Sequence, residues 1–188
     1  MKIMIDFAIA KAINQLGAGT FLDSLTLLVS SYIFLFAVFA LIIALIFIRD
    51  KKRARVIVLA LIIALLLHFL ITGIVMKEFV ANNIYFKERP YVTYPNEITQ
   101  IGDADTDTAF PSGHVALVMV LLTTLVYYYR KYWPYATLFV LFMGFSRVHN
   151  GMHYPSDVLF GALFGLIYSL IAVKSLNCFL QKKIKIPN

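Results

Sequence analysis

Two arginines, two histidines and an aspartate lie at spacings that suit the handling of a phosphate. Arg89 is followed by Pro90, and His114 closes the run Pro111-Ser112-Gly113-His114. Ser146-Arg147 is followed by His153 and then by Asp157. A guanidinium offers planar, bidentate contacts to phosphoryl oxygens. Ser112 and Gly113 stand where an apolar run begins. A helix starting there presents free N–H groups and a positive dipole end to an anion, and glycine lets the backbone come close. His153 precedes Pro155, a residue suited to the first position of a helix, so Asp157 falls in the first turn. Its carboxylate can accept a hydrogen bond from one imidazole nitrogen of His153 and leave the other nitrogen as a nucleophile.

Taken singly, each residue has a plainer reading. An arginine at a helix end is commonly a snorkelling anchor. Ser-Gly before a helix is commonly a cap, and an aspartate in a first turn complements the dipole. Taken together, in segments expected to meet, they point to an anion-handling site, because ionisable groups at membrane depth are costly and usually functional.

The elements that must position these groups are membrane spans. The chain is 61% hydrophobic and 14% charged, whereas a soluble domain is about 25% charged. Apolar runs at 24–48, 56–76, 111–129 and 156–178 approach or exceed the ~20 residues that cross a bilayer. A shorter run covers 133–147, and Tyr and Trp at run ends suit an interfacial belt. Residues 3–16 read as an interfacial helix, although a sixth span assembled from 3–31 is also open. No cleavage site there marks a signal peptide. The expected fold is an all-α, polytopic transmembrane helical bundle of five to six helices, one membrane-embedded domain over residues 1–188.

Net charge is +7, but the basic residues sit between or after the apolar runs. Arg49, Lys51, Lys52, Arg53 and Arg55 share one loop, Arg130 and Lys131 another, and Lys182, Lys183 and Lys185 the tail. This is a positive-inside pattern, which argues against nucleic acid as a partner. It places the C-terminus in the cytoplasm and segments 77–110 and 148–155 on the other side. The chemistry is therefore expected on the extracytoplasmic face of the cell membrane.

Other features are weaker. The single cysteine, Cys178, excludes an internal disulfide and a cysteine-based metal site. Asp103, Asp105 and Asp107 are spaced like the start of a calcium loop. Thr108 stands where that loop needs glycine and His114 where it needs glutamate, so the three read as a solvated loop. The connection 91–110 is long enough to be functional or mobile. Gly161 and Gly165 form a G-x-x-x-G suited to helix packing.

Pro111-Ser112-Gly113-His114 and the SR-x5-H-x3-D pattern over 146–157 resemble the second and third signature motifs of the type 2 phosphatidic acid phosphatase superfamily. Arg89-Pro90 resembles the end of the first, K-x6-R-P. The resemblance implies that His153 attacks phosphorus to form a phosphohistidine, with Asp157 orienting it. It implies that His114 protonates the leaving oxygen and then activates water. Arg89, Arg147, Ser112 and the Gly113 amide would hold the phosphoryl oxygens, with no metal and no cofactor. The superfamily's lysine position is Asn82 here; Lys77 and Lys87 are the candidates to replace it. The small size, Tyr85-Phe86 and the run Gly151-x-His153-Tyr154-Pro155 resemble the small bacterial-type undecaprenyl-diphosphate phosphatases. That implies hydrolysis of a polyprenyl diphosphate to the monophosphate, in lipid carrier recycling for cell-envelope glycan synthesis. Phosphatidylglycerophosphate and lipid A phosphatases share the motifs. A non-catalytic lipid-phosphate binding or transport protein is the alternative from another class.

Overall fold

The structure, a computed structural model, describes residues 2–184; Lys185 of the basic tail lies outside them. Helix α1 (Lys2–Asn14) and helix α2 (Phe21–Ser30) precede a long antiparallel series. That series is α3 (Tyr32–Arg49), α4 (Lys51–Asn83), the short α5 (Pro90–Thr93), α6 (Gly113–Tyr128), α7 (Trp133–His149) and α8 (Pro155–Ile184). The expected all-α fold holds among the described residues. Helices α3, α4 and α8 are long and apolar enough to cross a membrane. Eighteen residues of α3 rise about 27 Å, close to the ~30 Å hydrocarbon core of a bilayer.

The outer faces confirm the solvent. Phe36, Leu41, Leu45, Leu66, Leu138 and Leu163 are exposed on the bundle, a large apolar surface that only lipid or a partner can cover. The interior is built where α6 meets α8. A Cβ added at Gly161 or at Gly165 would run into the backbone carbonyl of Ser112 or of Ala116. The two glycines therefore let α8 lie against α6 at backbone distance, the intramolecular packing expected of the G-x-x-x-G. Val115, Val118, Leu121 and Met143 form the core beside this contact.

Helices α4 and α8 extend past the runs 56–76 and 156–178 by up to seven residues, and two elements differ in kind from the sequence expectation. The apolar run 24–48 is not one helix, because the chain turns extended at Ser31 (φ −70°, ψ 127°). Polar demands break it. Ser30 hydrogen-bonds Ser146, Ser146 donates to the Thr26 carbonyl at 2.8 Å, and Thr26 donates to Asn150 Oδ1 at 2.8 Å. These bonds fasten α2 to α7 and to the residue after it, Asn150. Nor does α1 rest alone on an interface. Asn14 donates to the carbonyls of Thr99 (2.7 Å) and His149 (2.6 Å), and Asp6 accepts from the Ser156 N–H at 2.9 Å. Residues 3–31 thus form two packed helices joined through Gly17 and Gly19, both at positive φ, rather than one sixth span.

Helix α4 carries a π-helical stretch, His68–Val80. A π-helix bonds residues five apart, so residues four to five apart stack on one wall. His68, Thr72, Gly73 and Lys77 do so here.

Candidate active site

Antiparallel packing brings one end of α4, α6, α7 and α8 together, and the chemistry collects there. A cavity of about 250 Å³ is lined by Lys77, Arg89, Asp105, Asp107, Gly113, His114, Arg147 and His153, with Tyr32 and His68. A larger cavity of about 490 Å³ lies elsewhere, between α3, α6 and α7. Its lining is almost wholly aliphatic and aromatic, with charge only from Arg49 and Lys131. It offers no buried cation cluster and no histidine, so it is a lipid-facing groove rather than a reaction site.

His153 is fully buried in the loop between α7 and α8. Its Nδ1 donates to the Ala109 carbonyl at 2.7 Å. That bond selects the tautomer with a lone pair on Nε2, and Nε2 faces Arg89 Nη1 at 3.4 Å. Burial, with Arg147, Arg89 and Lys77 around the ring, holds the imidazole well below its ordinary value. His153 is therefore neutral at neutral pH, with its Nε2 lone pair at the cavity wall, accepting a long hydrogen bond from Arg89.

Asp157 does not make the hydrogen bond expected of it. Its Oδ2 is 4.0 Å from His153 Nδ1 and instead accepts the Tyr154 N–H at 2.9 Å. Its Oδ1 accepts from Lys87 Nζ at 2.6 Å. The reason is local geometry: in the first turn of α8 the carboxylate caps residue 154, while the loop residue Ala109 reaches the imidazole first. Asp157 fixes the turn that carries His153 and anchors Lys87.

The cations surround the same space. Arg89 is buried; its Nη1 donates to the Met152 carbonyl at 3.0 Å and its Nε to the Asp107 carbonyl at 3.2 Å. Arg147 is buried with its Nε lacking any hydrogen-bond partner. Ser112 Oγ is likewise buried without a partner and does not cap its own helix. Unpaired buried polar groups are costly; Arg147 lines the cavity, where an oxyanion would satisfy its Nε, and Ser112 immediately precedes the lining residue Gly113. At Gly113 an added Cβ would stand 3.8 Å from Lys77 Cε, so the Lys77 stem runs close to the start of α6. His114 stacks on Tyr32 with ring centroids 4.1 Å apart, its Nδ1 being 3.3 Å from the Tyr32 hydroxyl.

The two candidate lysines lie in different places. Lys77 lines the cavity; Asn82 is exposed and does not. Lys87 turns away to Asp157, Ser156 (3.1 Å) and Asp6 (3.7 Å). The solvated-loop reading of the aspartates is corrected for two of the three. Asp107 pairs with Arg89 and Lys77, and Asp105 Oδ2 lies 3.3 Å from Arg89 and 3.5 Å from Arg147. Tyr32, His68 and the Ala109 carbonyl were not foreseen. A histidine inside the run Leu65–Leu70 was the available signal for His68; nothing local marks the other two.

Buried cations around a neutral histidine, at one end of a lipid-facing bundle, define a membrane-embedded phosphatase site. Residues 59–178 match the PAP2 superfamily. The chain belongs to that superfamily, as a membrane lipid phosphatase. It is 30% identical over 171 residues to the undecaprenyl-diphosphatase BcrC of Bacillus subtilis strain 168, covering 89% of this chain and 82% of that protein. It is 28% identical over 160 residues to the bacitracin transport permease protein BcrC of Bacillus licheniformis, covering 84% and 74%. Its fold matches the crystal structure of Aquifex aeolicus LpxE with a TM-score of 0.65 at 22% identity, over 89% of this chain and 93% of that one. It also matches a transmembrane PAP2 type phosphatidylglycerolphosphate phosphatase from Bacillus subtilis, with a TM-score of 0.63 at 22% identity, over 98% and 88%.

Proposed function

We propose that the chain hydrolyses a polyprenyl diphosphate, of the undecaprenyl kind, to the monophosphate, in the recycling of a lipid carrier for cell-envelope glycan synthesis. The observation that carries the chemistry is His153, neutral, with the Nε2 lone pair directed at Arg89 in a cavity walled by Lys77 and Arg147. Nε2 attacks the terminal phosphorus; a P–N bond forms and the bridging P–O bond breaks. His114 gives its proton to the leaving monophosphate. It then takes a proton from water as the water oxygen attacks phosphorus and the P–N bond breaks, releasing inorganic phosphate. Arg89, Arg147, Lys77, Ser112 and the Gly113 amide stabilise the charge spread over the equatorial oxygens. Every group in this scheme is a side chain or backbone amide of the chain, and no metal enters it.

The cavity supports a headgroup substrate. A drug-sized ligand fills about 300–1,000 Å³, so 250 Å³ holds a phosphoryl group and leaves the lipid chain outside, along the apolar helices. The diphosphate is favoured because the relative that carries that name aligns over most of this chain. The orientation is part of the proposal: Lys51, Lys52, Arg53, Arg130 and Lys131 lie at the opposite end of the bundle from His153. By the positive-inside pattern the site then opens to the extracytoplasmic face and the C-terminus lies in the cytoplasm. The whole of 1–188 acts as one domain.

The test is phosphate release from undecaprenyl diphosphate, phosphatidylglycerophosphate, lipid A and phosphatidic acid, each with EDTA present. Fastest release from the prenyl diphosphate is expected, undiminished by the chelator and abolished in His153→Ala. Preference for another lipid reassigns the substrate, and loss in EDTA overturns the metal-free scheme. Silence with every lipid, alongside lipid binding, favours the transport reading that the name of the Bacillus licheniformis relative suggests.

A further inference from the structure

Two carboxylates occupy the place where phosphoryl oxygens would bind. Asp107 bridges Arg89 and Lys77, one carboxylate oxygen to each. Asp105 Oδ2 bridges Arg89 and Arg147 at 3.3 and 3.5 Å. A carboxylate and a phosphoryl group offer a guanidinium the same pair of anionic oxygens. The cations are buried, with side-chain exposures of 2% for Arg89, 7% for Arg147 and 17% for Lys77. The two acids are 46% and 44% exposed. The acids therefore enter from the mouth of the site onto cations that form its floor.

Their loop is tied in place on both sides. Tyr91 Oη donates to the Asp105 carbonyl at 2.8 Å, the Lys87 N–H to Thr108 Oγ1 at 3.0 Å, and the Ala109 N–H to the Lys87 carbonyl at 2.8 Å. The backbone is anchored while the carboxylates remain at the surface, so the side chains can leave and return by rotating about χ1 and χ2. Three cations with two carboxylates carry a net charge of +1, too little to neutralise a phosphate dianion; with the carboxylates swung out they carry +3. The dianion offers more charge and more acceptor oxygens, and can also satisfy Arg147 Nε, which lines the cavity and which the carboxylates leave unpaired.

We propose that Asp105 and Asp107 are a tethered substitute for the phosphoryl group, holding the three cations in register in the empty site, yielding to substrate, and returning to expel inorganic phosphate. This rests on the phosphatase reading of the site. It assigns the aspartates a part in substrate affinity and product release rather than in bond breaking.

The test measures inorganic phosphate binding to detergent-solubilised protein by titration calorimetry, and KM and kcat for lipid hydrolysis, in wild type, Asp107→Asn, Asp105→Asn and Asp103→Asn. Asp103 touches none of the three cations among the described residues and serves as the control. Asp107→Asn is expected to bind phosphate about tenfold tighter, the change that about 1.4 kcal/mol of lost competition produces, and to lower KM. Its kcat falls if phosphate release becomes limiting. Asp105→Asn is expected to move the same way by less, and Asp103→Asn not at all. Unchanged or weaker phosphate binding in Asp107→Asn, in protein whose unfolding temperature matches wild type, overturns the proposal. If Asp107→Asn unfolds early, Asp107→Ser replaces it under the same criterion. Tighter phosphate binding with no turnover by the wild type would sink the phosphatase reading and leave the competition itself standing.

Discussion

Neutralising Asp157 separates two ways in which a carboxylate can serve a histidine. In Asp157→Asn the amide oxygen can still accept the Tyr154 N–H, now at 2.9 Å to Oδ2. The amide nitrogen then faces Lys87, donor against donor, where a 2.6 Å charged hydrogen bond stood. Breaking a buried ion pair from one side costs about 3–5 kcal/mol. Lys87 is 20% exposed and keeps Ser156 at 3.1 Å and Asp6 at 3.7 Å, so the loss here is smaller, about 1–3 kcal/mol. In a chain of this size that lowers the melting temperature by roughly 2–10 °C. The His153 tautomer, held by the Ala109 carbonyl at 2.7 Å, survives. The expected fall in kcat is therefore only about 10- to 100-fold, through the altered turn and field. Loss of a carboxylate that itself holds the tautomer costs on the order of 10⁴-fold. Thermal unfolding in detergent and initial rates of phosphate release measure both quantities on one preparation. A loss near 10⁴-fold with an unchanged melting temperature would refute the reasoning and return Asp157 to a direct bond with His153.

Four further outcomes follow from the same geometry. Gly165→Val puts side-chain atoms into the Ala116 carbonyl and Met119 Cβ; overpacking of about 1–3 kcal/mol should lower the melting temperature. Gly73→Ala, whose Cβ meets only Phe69 at 3.8 Å, should not. Tyr32→Phe keeps the stack on His114 and removes the hydroxyl 3.3 Å from Nδ1, so kcat should fall about 3- to 10-fold, the worth of one hydrogen bond. His153 has a folded pKa well below its unfolded one, because burial and three cations disfavour the imidazolium. The unfolded chain thus binds a proton that the folded chain refuses, and stability is lost as pH falls through about 6.5. His153→Gln should remove up to one proton, about 1.4 kcal/mol per pH unit, from the slope of unfolding free energy between pH 6.5 and 5. Asp107 is also shifted down, in the acid range: burial alone would raise it, but its bonds to Lys77 and Arg89 hold it below the usual carboxylate range. Its contribution is present above about pH 4 and disappears as pH falls through the lower folded value, so Asp107→Asn should flatten the acid limb of the unfolding curve.

What the sequence settled by itself was whatever depends on neighbours along the chain. The apolar runs 111–129 and 133–147 set α6 and α7 within two residues, and the runs 56–76 and 156–178 marked α4 and α8, which extend past them by up to seven residues, since a span is a local matter of length and transfer energy. Arg89, His114, Arg147, His153 and Asp157 were legible because their motifs are short and lie next to helix ends. The G-x-x-x-G was legible for the same reason, and its glycines do admit the neighbouring backbone. Tertiary structure decided whatever depends on meeting across the bundle. Lys77 rather than Lys87 reaches the cavity because a π-helical stretch, invisible in composition, sets which residues share its wall. The apolar run at 24–48 breaks at Ser31 because Thr26, Ser30, Ser146 and Asn150 bond one another over more than a hundred residues of chain. The partner of His153 is a backbone carbonyl, and any residue type could have supplied one. Asp105 and Asp107, which by sequence alone belong to water, lie against three cations because the loop is pinned at Lys87 and Tyr91, and buried positive charge draws in the nearest oxygens that can reach it.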